Sequence, residues 1–109
     1  MDTHTVVLTA QIPVRPGSEP ALAEAFDRLR ERSLLELGVL SFERLTAPGG
    51  SVVLREEYRD EAALDAHLAK PHTGEFLAVL PELLASAATV RVDRARTIRA
   101  FDVPHTVAD

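Results

Sequence analysis

The chain has 109 residues, the size of a single domain, and its 12 basic and 17 acidic residues give a net charge of −5. This acidic balance argues against a nucleic-acid partner, because neutralising phosphates requires clustered Lys and Arg. No apolar run approaches the ~20 residues that cross a membrane and no secretory signal opens the chain, so we expect a cytoplasmic protein without membrane contact. The absence of Cys excludes disulfides and thiolate chemistry.

The first half of the chain predicts a strand, a helix and a hairpin. Residues 5–14 alternate between apolar and polar, as a half-buried strand does. An apolar stripe at spacings of three and four then predicts a helix that ends near Gly38. Residues 39–46 and 51–59 resemble two strands, and the Pro and Gly residues between them suit a tight connection. The stripe consists of Leu22, Phe26, Leu29, Ser33, Leu34 and Leu37.

The second half predicts an interrupted helical region and a last strand. Asp60 can cap a helix, Pro71 breaks it, and helical spacing resumes from His72 until a strand at about residues 88–98. The order β-α-β-β-α-β is that of a ferredoxin-like α+β fold, with a four-stranded antiparallel sheet and its helices on one face. We therefore predict one domain over residues 1–98 and a tail over residues 99–109, which can contact a second subunit.

Two histidines and a carboxylate are the main candidates for catalysis. Glu56 and Tyr58 share the mostly apolar face of their strand, and His67 and His72 lie among apolar helical positions that should face the sheet. A His with a pKa near neutrality can move protons, and Glu56 on the facing strand can fix its tautomer. The alternative is a satisfied polar network that only locks helix to strand, because buried polar groups nearly always find partners.

Aromatic residues and metal binding leave further alternatives. Tyr58 can donate a hydrogen bond to a phenolate or quinone oxygen, or simply belong to the core with its hydroxyl at the edge. The phenylalanines can line a pocket for an aromatic substrate or pack the core. A metal site from His67, His72 and Glu56 is conceivable, but two His five positions apart across a proline lack the compact spacing of helical zinc pairs. We therefore predict neither a metal nor a cofactor. The phenylalanines concerned are Phe26, Phe42 and Phe76.

Two segments of the sequence resemble the antibiotic biosynthesis monooxygenase family. The family pattern of a Glu-x-Tyr strand, an acidic cap and His-x-x-x-Pro-His-x-x-x-Phe is matched between Glu56 and Phe76. The segment from Glu36 to Phe42 is similar to the family's Glu-Pro-Gly-Cys segment, with Leu for Pro and Val for Cys. The resemblance extends over residues 5–92. The matched positions of the first segment are Glu56, Tyr58, Asp60, Ala63, His67, Pro71, His72 and Phe76.

The resemblance implies a homodimer in which two sheets join into an α/β barrel. It also implies a cofactor-independent monooxygenase that converts an aromatic phenol, hydroquinone or anthrone into a quinone. His72 or His67 would assist deprotonation, Glu56 would orient it, and Tyr58 would stabilise the oxyanion. The alternatives are an isomerase or cyclase acting on a small metabolite, and a non-catalytic dimer that binds a small aromatic ligand. The chain contains no Asn and no Trp, two residues that contribute to the pocket in some family members.

Overall fold

The computed structural model describes residues 4–96, without the side chains of residues 48, 95 and 96. Four strands form one antiparallel sheet, in which residues 39–46, 51–58, 4–13 and 89–96 follow one another across the sheet, and the chain has three α-helices in its described part. This confirms the ferredoxin-like α+β prediction; the proposed tail, residues 99–109, lies outside the described residues. The elements are β1 (His4–Pro13), α1 (Glu19–Ser33), β2 (Val39–Thr46), β3 (Ser51–Tyr58), α2 (Glu61–Leu68), α3 (Pro71–Leu83) and β4 (Thr89–Arg96).

The two central strands bury every second residue, as the alternating pattern predicts. Leu8 on β1 lies opposite Glu56 on β3, so the carboxylate enters the sheet face that the helices cover. The other face carries Val7 and Val53, which are half-buried in the single chain. Among residues 4–96, no helix is long and apolar enough to span a membrane.

Helix α1 is shorter than the leucine stripe predicts, because it ends at Ser33. The backbone then tightens into turns in which Leu35 and Glu36 donate hydrogen bonds to carbonyls three residues earlier. This change rotates Leu34 and Leu37 out of the stripe, and Leu37 is 84% exposed. The same turns direct the carboxylate of Glu36 inwards, where it meets the second helical region.

Helices α2 and α3 begin and break where the sequence indicates. The Asp60 carboxylate accepts a hydrogen bond of 2.8 Å from the amide N–H of Ala63, as an N-cap does. Pro71 starts α3 as its first residue, where its missing N–H needs no partner. Because the chain turns at residues 69–70, His72 at the start of α3 faces back towards His67 near the end of α2, with 6.1 Å between the ring centroids.

Gly38 fixes how the loop after α1 meets α2. Its φ of +93° lies in the left-handed region that favours glycine, and a Cβ at this position would lie 2.7 Å from the Cβ of Ala63. The Gly38 carbonyl also accepts a 2.7 Å hydrogen bond from the amide of Arg59. This close approach holds the loop, and therefore Glu36, against the start of α2.

Candidate functional site

Two histidine side chains from separate helices converge on one carboxylate oxygen. Oε2 of Glu36 lies 3.0 Å from Nδ1 of His67 and 2.5 Å from Nε2 of His72. His67 and Glu36 are almost fully buried, and His72 retains 14% of its side-chain exposure. One candidate ligand atom from each of the three residues lies within 4.8 Å of the other two, so this cluster is the place where a metal ion could bind.

Glu56 belongs to a neighbouring but different arrangement. The Tyr58 hydroxyl donates a short hydrogen bond to Oε1 of Glu56, and the same oxygen lies 3.9 Å from Nε2 of His67. Both side chains are buried on the same face of β3, as their spacing predicts. The carboxylate that is hydrogen-bonded to the two histidines is therefore Glu36 rather than Glu56, because the turns after α1 bring Glu36 closer to both rings.

The two carboxylates have opposite pKa shifts. Burial alone would raise the pKa of Glu36, but hydrogen bonds and charge interactions with His72 and His67 outweigh it, so that pKa lies below its ordinary value. Burial raises the pKa of Glu56 to about 7, since the single hydrogen bond from Tyr58 only partly opposes it and the charge of Glu36 adds to it. Burial also lowers the pKa of His67 and raises that of Tyr58.

A cavity of about 230 Å³ lies between the sheet and helices α2 and α3. Its polar groups are Glu56, His67 and Thr73, and its remaining lining is apolar, so one polar wall faces an otherwise hydrophobic space. Glu56 is the only carboxylate in this lining within the described part of the chain. The apolar lining consists of Leu8, Ala10, Ile12, Leu29, Leu54, Leu68, Phe76, Leu77, Leu80, Ala88 and Val90.

His72 does not line this cavity. It opens instead onto a groove of about 120 Å³ between α1 and α3, together with the charged side chains of Arg28, Arg32 and Glu75. The predicted pair of histidines thus faces two different spaces: His67 faces the apolar cavity and His72 faces the groove. Glu36 connects them, since it contacts both rings.

The three predicted substrate-binding phenylalanines occupy different positions. Phe26 and Phe42 are stacked with their ring centroids 5.2 Å apart, and both are fully buried in the core outside the cavity lining. Phe76 packs edge-on against Phe26 and lines both the cavity and the groove. Tyr58 is also absent from the cavity lining, and its hydroxyl holds Glu56.

Sequence reasoning assigned no role to Glu36 or Thr73. Glu36 was available as the only acidic residue of the α1–β2 connection, two positions before the conformationally special Gly38. The Thr73 hydroxyl donates a 2.7 Å hydrogen bond to the backbone carbonyl of His67 and lies 3.3 Å from its Nε2. A buried Thr one turn into α3 gives no sequence signal of this contact, which depends on the angle between α2 and α3.

Comparison with known proteins agrees with the fold and the motifs. The antibiotic biosynthesis monooxygenase family profile matches residues 5–79. A Mycobacterium tuberculosis protein named "Putative monooxygenase Rv0793" is 34% identical over 91 residues, which cover 83% of this chain and 90% of that protein. The solved structure of Rv0793 superposes with a TM-score of 0.75 at 30% identity, covering 96% of this chain and 99% of the other.

A Methanosarcina mazei protein shares the fold, with a TM-score of 0.80 at 22% identity, covering 84% of this chain and 92% of that chain. Family profile, curated relative and solved structures therefore agree along most of the chain. The chain belongs to the antibiotic biosynthesis monooxygenase family.

Proposed function

We propose that this protein is a monooxygenase that converts a phenol of one or two rings into a quinone without a bound cofactor. Membership of the family supports a monooxygenase-like role. The observation that carries the finer proposal is the cavity, where Glu56 and His67 face an otherwise apolar space. An apolar space with a few convergent polar groups suits a flat aromatic ring that carries one hydroxyl.

The cavity volume selects the size of the substrate. An apolar cavity of about 150 Å³ holds one benzene ring, whereas drug-sized ligands occupy roughly 300 Å³ or more. At about 230 Å³, this cavity suits a phenol or naphthol better than a three-ring anthrone. We therefore narrow the expected phenol, hydroquinone or anthrone to the smaller members of that set.

The polar residues that line the cavity have different roles in the proposed reaction. The carboxylate of Glu56 accepts the proton of the substrate hydroxyl, and Tyr58 holds this carboxylate in place. Nε2 of His67 lies on the same wall and can donate a hydrogen bond to the phenolate oxygen. The electron-rich phenolate then supplies electrons to O2 directly, which is why no flavin or haem is needed.

The proposed reaction balances with a naphthol as substrate. One atom of O2 becomes the new carbonyl oxygen at the ring carbon opposite the hydroxyl, and the other leaves as water. The two hydrogens of that water come from the hydroxyl and from the ring carbon that is oxygenated. All four electrons come from the ring, so one O2 is consumed for each quinone formed.

We also propose that two copies join through the sheet face that the helices leave uncovered. Val7 and Val53 on this face are only half-buried in the single chain, and burying apolar area stabilises association. Light scattering should give twice the chain mass, and Val53→Asp should shift the protein towards monomer. A wild-type protein that stays monomeric would contradict the dimer.

Oxygen uptake with a panel of hydroquinones, naphthols and anthrones, in EDTA-containing buffer without flavin or haem, tests the proposed reaction. We expect uptake with naphthols, one quinone per O2, no hydrogen peroxide and little activity on three-ring anthrones. Ala10→Leu, which fills the cavity, should reduce turnover while circular dichroism stays unchanged. Product formed without O2 would favour the isomerase or cyclase, and binding without any turnover would favour the ligand-binding dimer.

A further inference from the structure

The cluster of Glu36, His67 and His72 combines ligand types that divalent transition metals prefer. Two imidazole nitrogens and one carboxylate oxygen form a ligand set that recurs in zinc sites and in non-haem iron sites. Here they come from the α1–β2 connection, α2 and α3, and they converge in space although the two histidines are five positions apart. The sequence predicted no metal, because two His five positions apart across a proline lack the spacing of a helical zinc pair; here the break at Pro71 brings the two rings together, and the nearby carboxylate is Glu36 rather than Glu56.

The tautomer of His67 decides what can lie between its ring and the carboxylate of Glu36. The hydroxyl of Thr73 has one proton, and it donates this proton to the His67 carbonyl. The 3.3 Å contact between Thr73 Oγ1 and His67 Nε2 is then a hydrogen bond only if Nε2 is the donor. On a neutral ring this leaves a lone pair on Nδ1, 3.0 Å from the carboxylate oxygen of Glu36.

In the other neutral tautomer Nδ1–H donates to Glu36, but in this one the lone pair of Nδ1 and the carboxylate oxygen can lie so close only with a cation between them. Either additional protons on the rings or one metal ion can supply it. His72 presents Nε2 to the same oxygen of Glu36, so two ring nitrogens flank one carboxylate oxygen, and the three candidate ligand atoms lie within 4.8 Å of one another. With Nδ1 on a metal, Nε2 of His67 would carry the proton and face Thr73 and Glu56, which matches the hydrogen bond that metal-ligating histidines make with their second nitrogen.

We propose that Glu36, His67 and His72 bind one zinc ion, with a water molecule as the fourth ligand on the groove side. Glu36 and His67 are closed off from solvent, and only His72 borders the groove, so one open position fits better than the several that a non-haem iron site keeps open. Ligand atoms around tetrahedral zinc are roughly 3.4 Å apart, so on binding Glu36 Oε2 has to move away from both ring nitrogens, which lie 3.0 and 2.5 Å from it.

Metal titration of the full chain after EDTA treatment tests this site. We expect calorimetry to show one Zn²⁺ per chain, with a dissociation constant of about 1 µM or lower, and Co²⁺ to give the visible absorption of a tetrahedral site. Glu36→Gln and His72→Ala should each weaken Zn²⁺ binding by at least about 100-fold, since even the loss of an outer partner costs about 10- to 100-fold. His4→Ala and Glu75→Gln, an exposed His and a groove carboxylate, should bind as wild type does.

Nitrogen NMR of the wild-type imidazoles keeps the test independent of any variant that fails to fold. Zinc should shift Nδ1 of His67 and Nε2 of His72 and leave His4 unchanged. No stoichiometric binding below about 100 µM, wild-type affinity in folded Glu36→Gln and His72→Ala, or equal loss in His4→Ala would each overturn the proposal. Because none of these readouts involves turnover, the zinc site can fail while the proposed oxygenase reaction stands, and the reverse.

Discussion

Glu36 and Glu56 are two nearly buried carboxylates on either side of His67, and they are held in opposite ways. Glu36 contacts two histidine rings, and its pKa lies below the ordinary value. Glu56 contacts one tyrosine hydroxyl and borders an apolar cavity, and its pKa rises to about 7. Their side-chain exposures are 8% and 7%, but Glu56 lies deep in the interior whereas Glu36 lies nearer the surface in the connection after α1. The difference teaches that the depth of burial, together with the number and charge of the partners, decides whether a carboxyl stays ionised.

This difference assigns separate roles to the two regions. On the groove side, hydrogen bonds tie Glu36 to α2 and α3, so this region is suited to stabilise the fold or to hold an ion. The cavity side, around Glu56, has a carboxyl that can exchange a proton near neutral pH beside an apolar space. The predictions below separate the two regions.

The largest expected effect comes from Gly38→Ala, which displaces the loop that carries Glu36. The new Cβ would combine backbone strain at φ +93° with a 2.7 Å contact to Ala63, so we expect a loss of roughly 4 kcal/mol in the free energy of unfolding. Gly17→Ala is the matched control, because Gly17 has a φ of +88° and open space around it, and should cost about 1 kcal/mol. Urea denaturation measures both, and equal losses would show that the contact with Ala63 carries no weight.

The next effect is a pH-dependent gain in stability for Glu56→Gln. A carboxyl whose pKa is 4.5 when unfolded and about 7 when folded destabilises the protein as pH rises from 4.5 towards 7, because folding then opposes its ionisation. The variant lacks this penalty, so its stability relative to wild type should grow by roughly 3 kcal/mol between pH 4.5 and pH 8. Urea denaturation in EDTA at several pH values gives this slope, and a pH-independent difference would show that Glu56 ionises normally.

Glu36→Gln should destabilise the protein at neutral pH, whereas Glu56→Gln should stabilise it. It removes the charge that receives two histidine contacts, so we expect a loss of roughly 2 kcal/mol at pH 7. Glu57→Gln removes a carboxylate on the partly exposed face of β3 and should cost about 0.5 kcal/mol. Thermal unfolding of both variants in EDTA tests the pair, and a stabilised Glu36→Gln would remove the distinction between the two regions.

The smallest effect is expected for Asp60→Ala, which acts on both regions equally. Loss of the N-cap of α2 should cost about 1 kcal/mol, since the Ala63 amide loses its acceptor. Because His67 lies on the same helix and serves both carboxylates, the pKa values of Glu36 and Glu56 should hardly change. Carboxyl-carbon NMR titration checks this, and a large shift at only one site would mean that α2 holds the two regions unequally.

Alternation and helical spacing predicted the order of strands and helices along the chain, the hairpin, the Asp60 cap and the break at Pro71. These features depend on local residue types, which the sequence displays directly. The end of α1 was placed too late, because leucines continue past Ser33 while the backbone tightens into turns. The exposure of Leu37 follows from that turn and not from its side chain.

The sequence predicted several residues of the candidate site, but it did not predict which of them contact one another. Glu56, Tyr58 and His67 do lie together, because their positions on β3 and α2 follow from period and spacing. The histidines are hydrogen-bonded to Glu36 rather than Glu56, and this depends on the loop at Gly38. The two rings face different spaces because of the angle between α2 and α3. Neither is a property of a local sequence pattern.

The central claim is that Glu56 is the base at the cavity, and the most direct test is oxygen uptake with a naphthol in EDTA at pH 7.5. The account predicts that Glu56→Gln lowers kcat/KM by at least about 100-fold, the usual contribution of a positioned base. Glu57→Gln, which changes the neighbouring carboxylate on the opposite face of β3, should stay within about twofold of wild type. Folded Glu56→Gln with undiminished uptake would contradict the account.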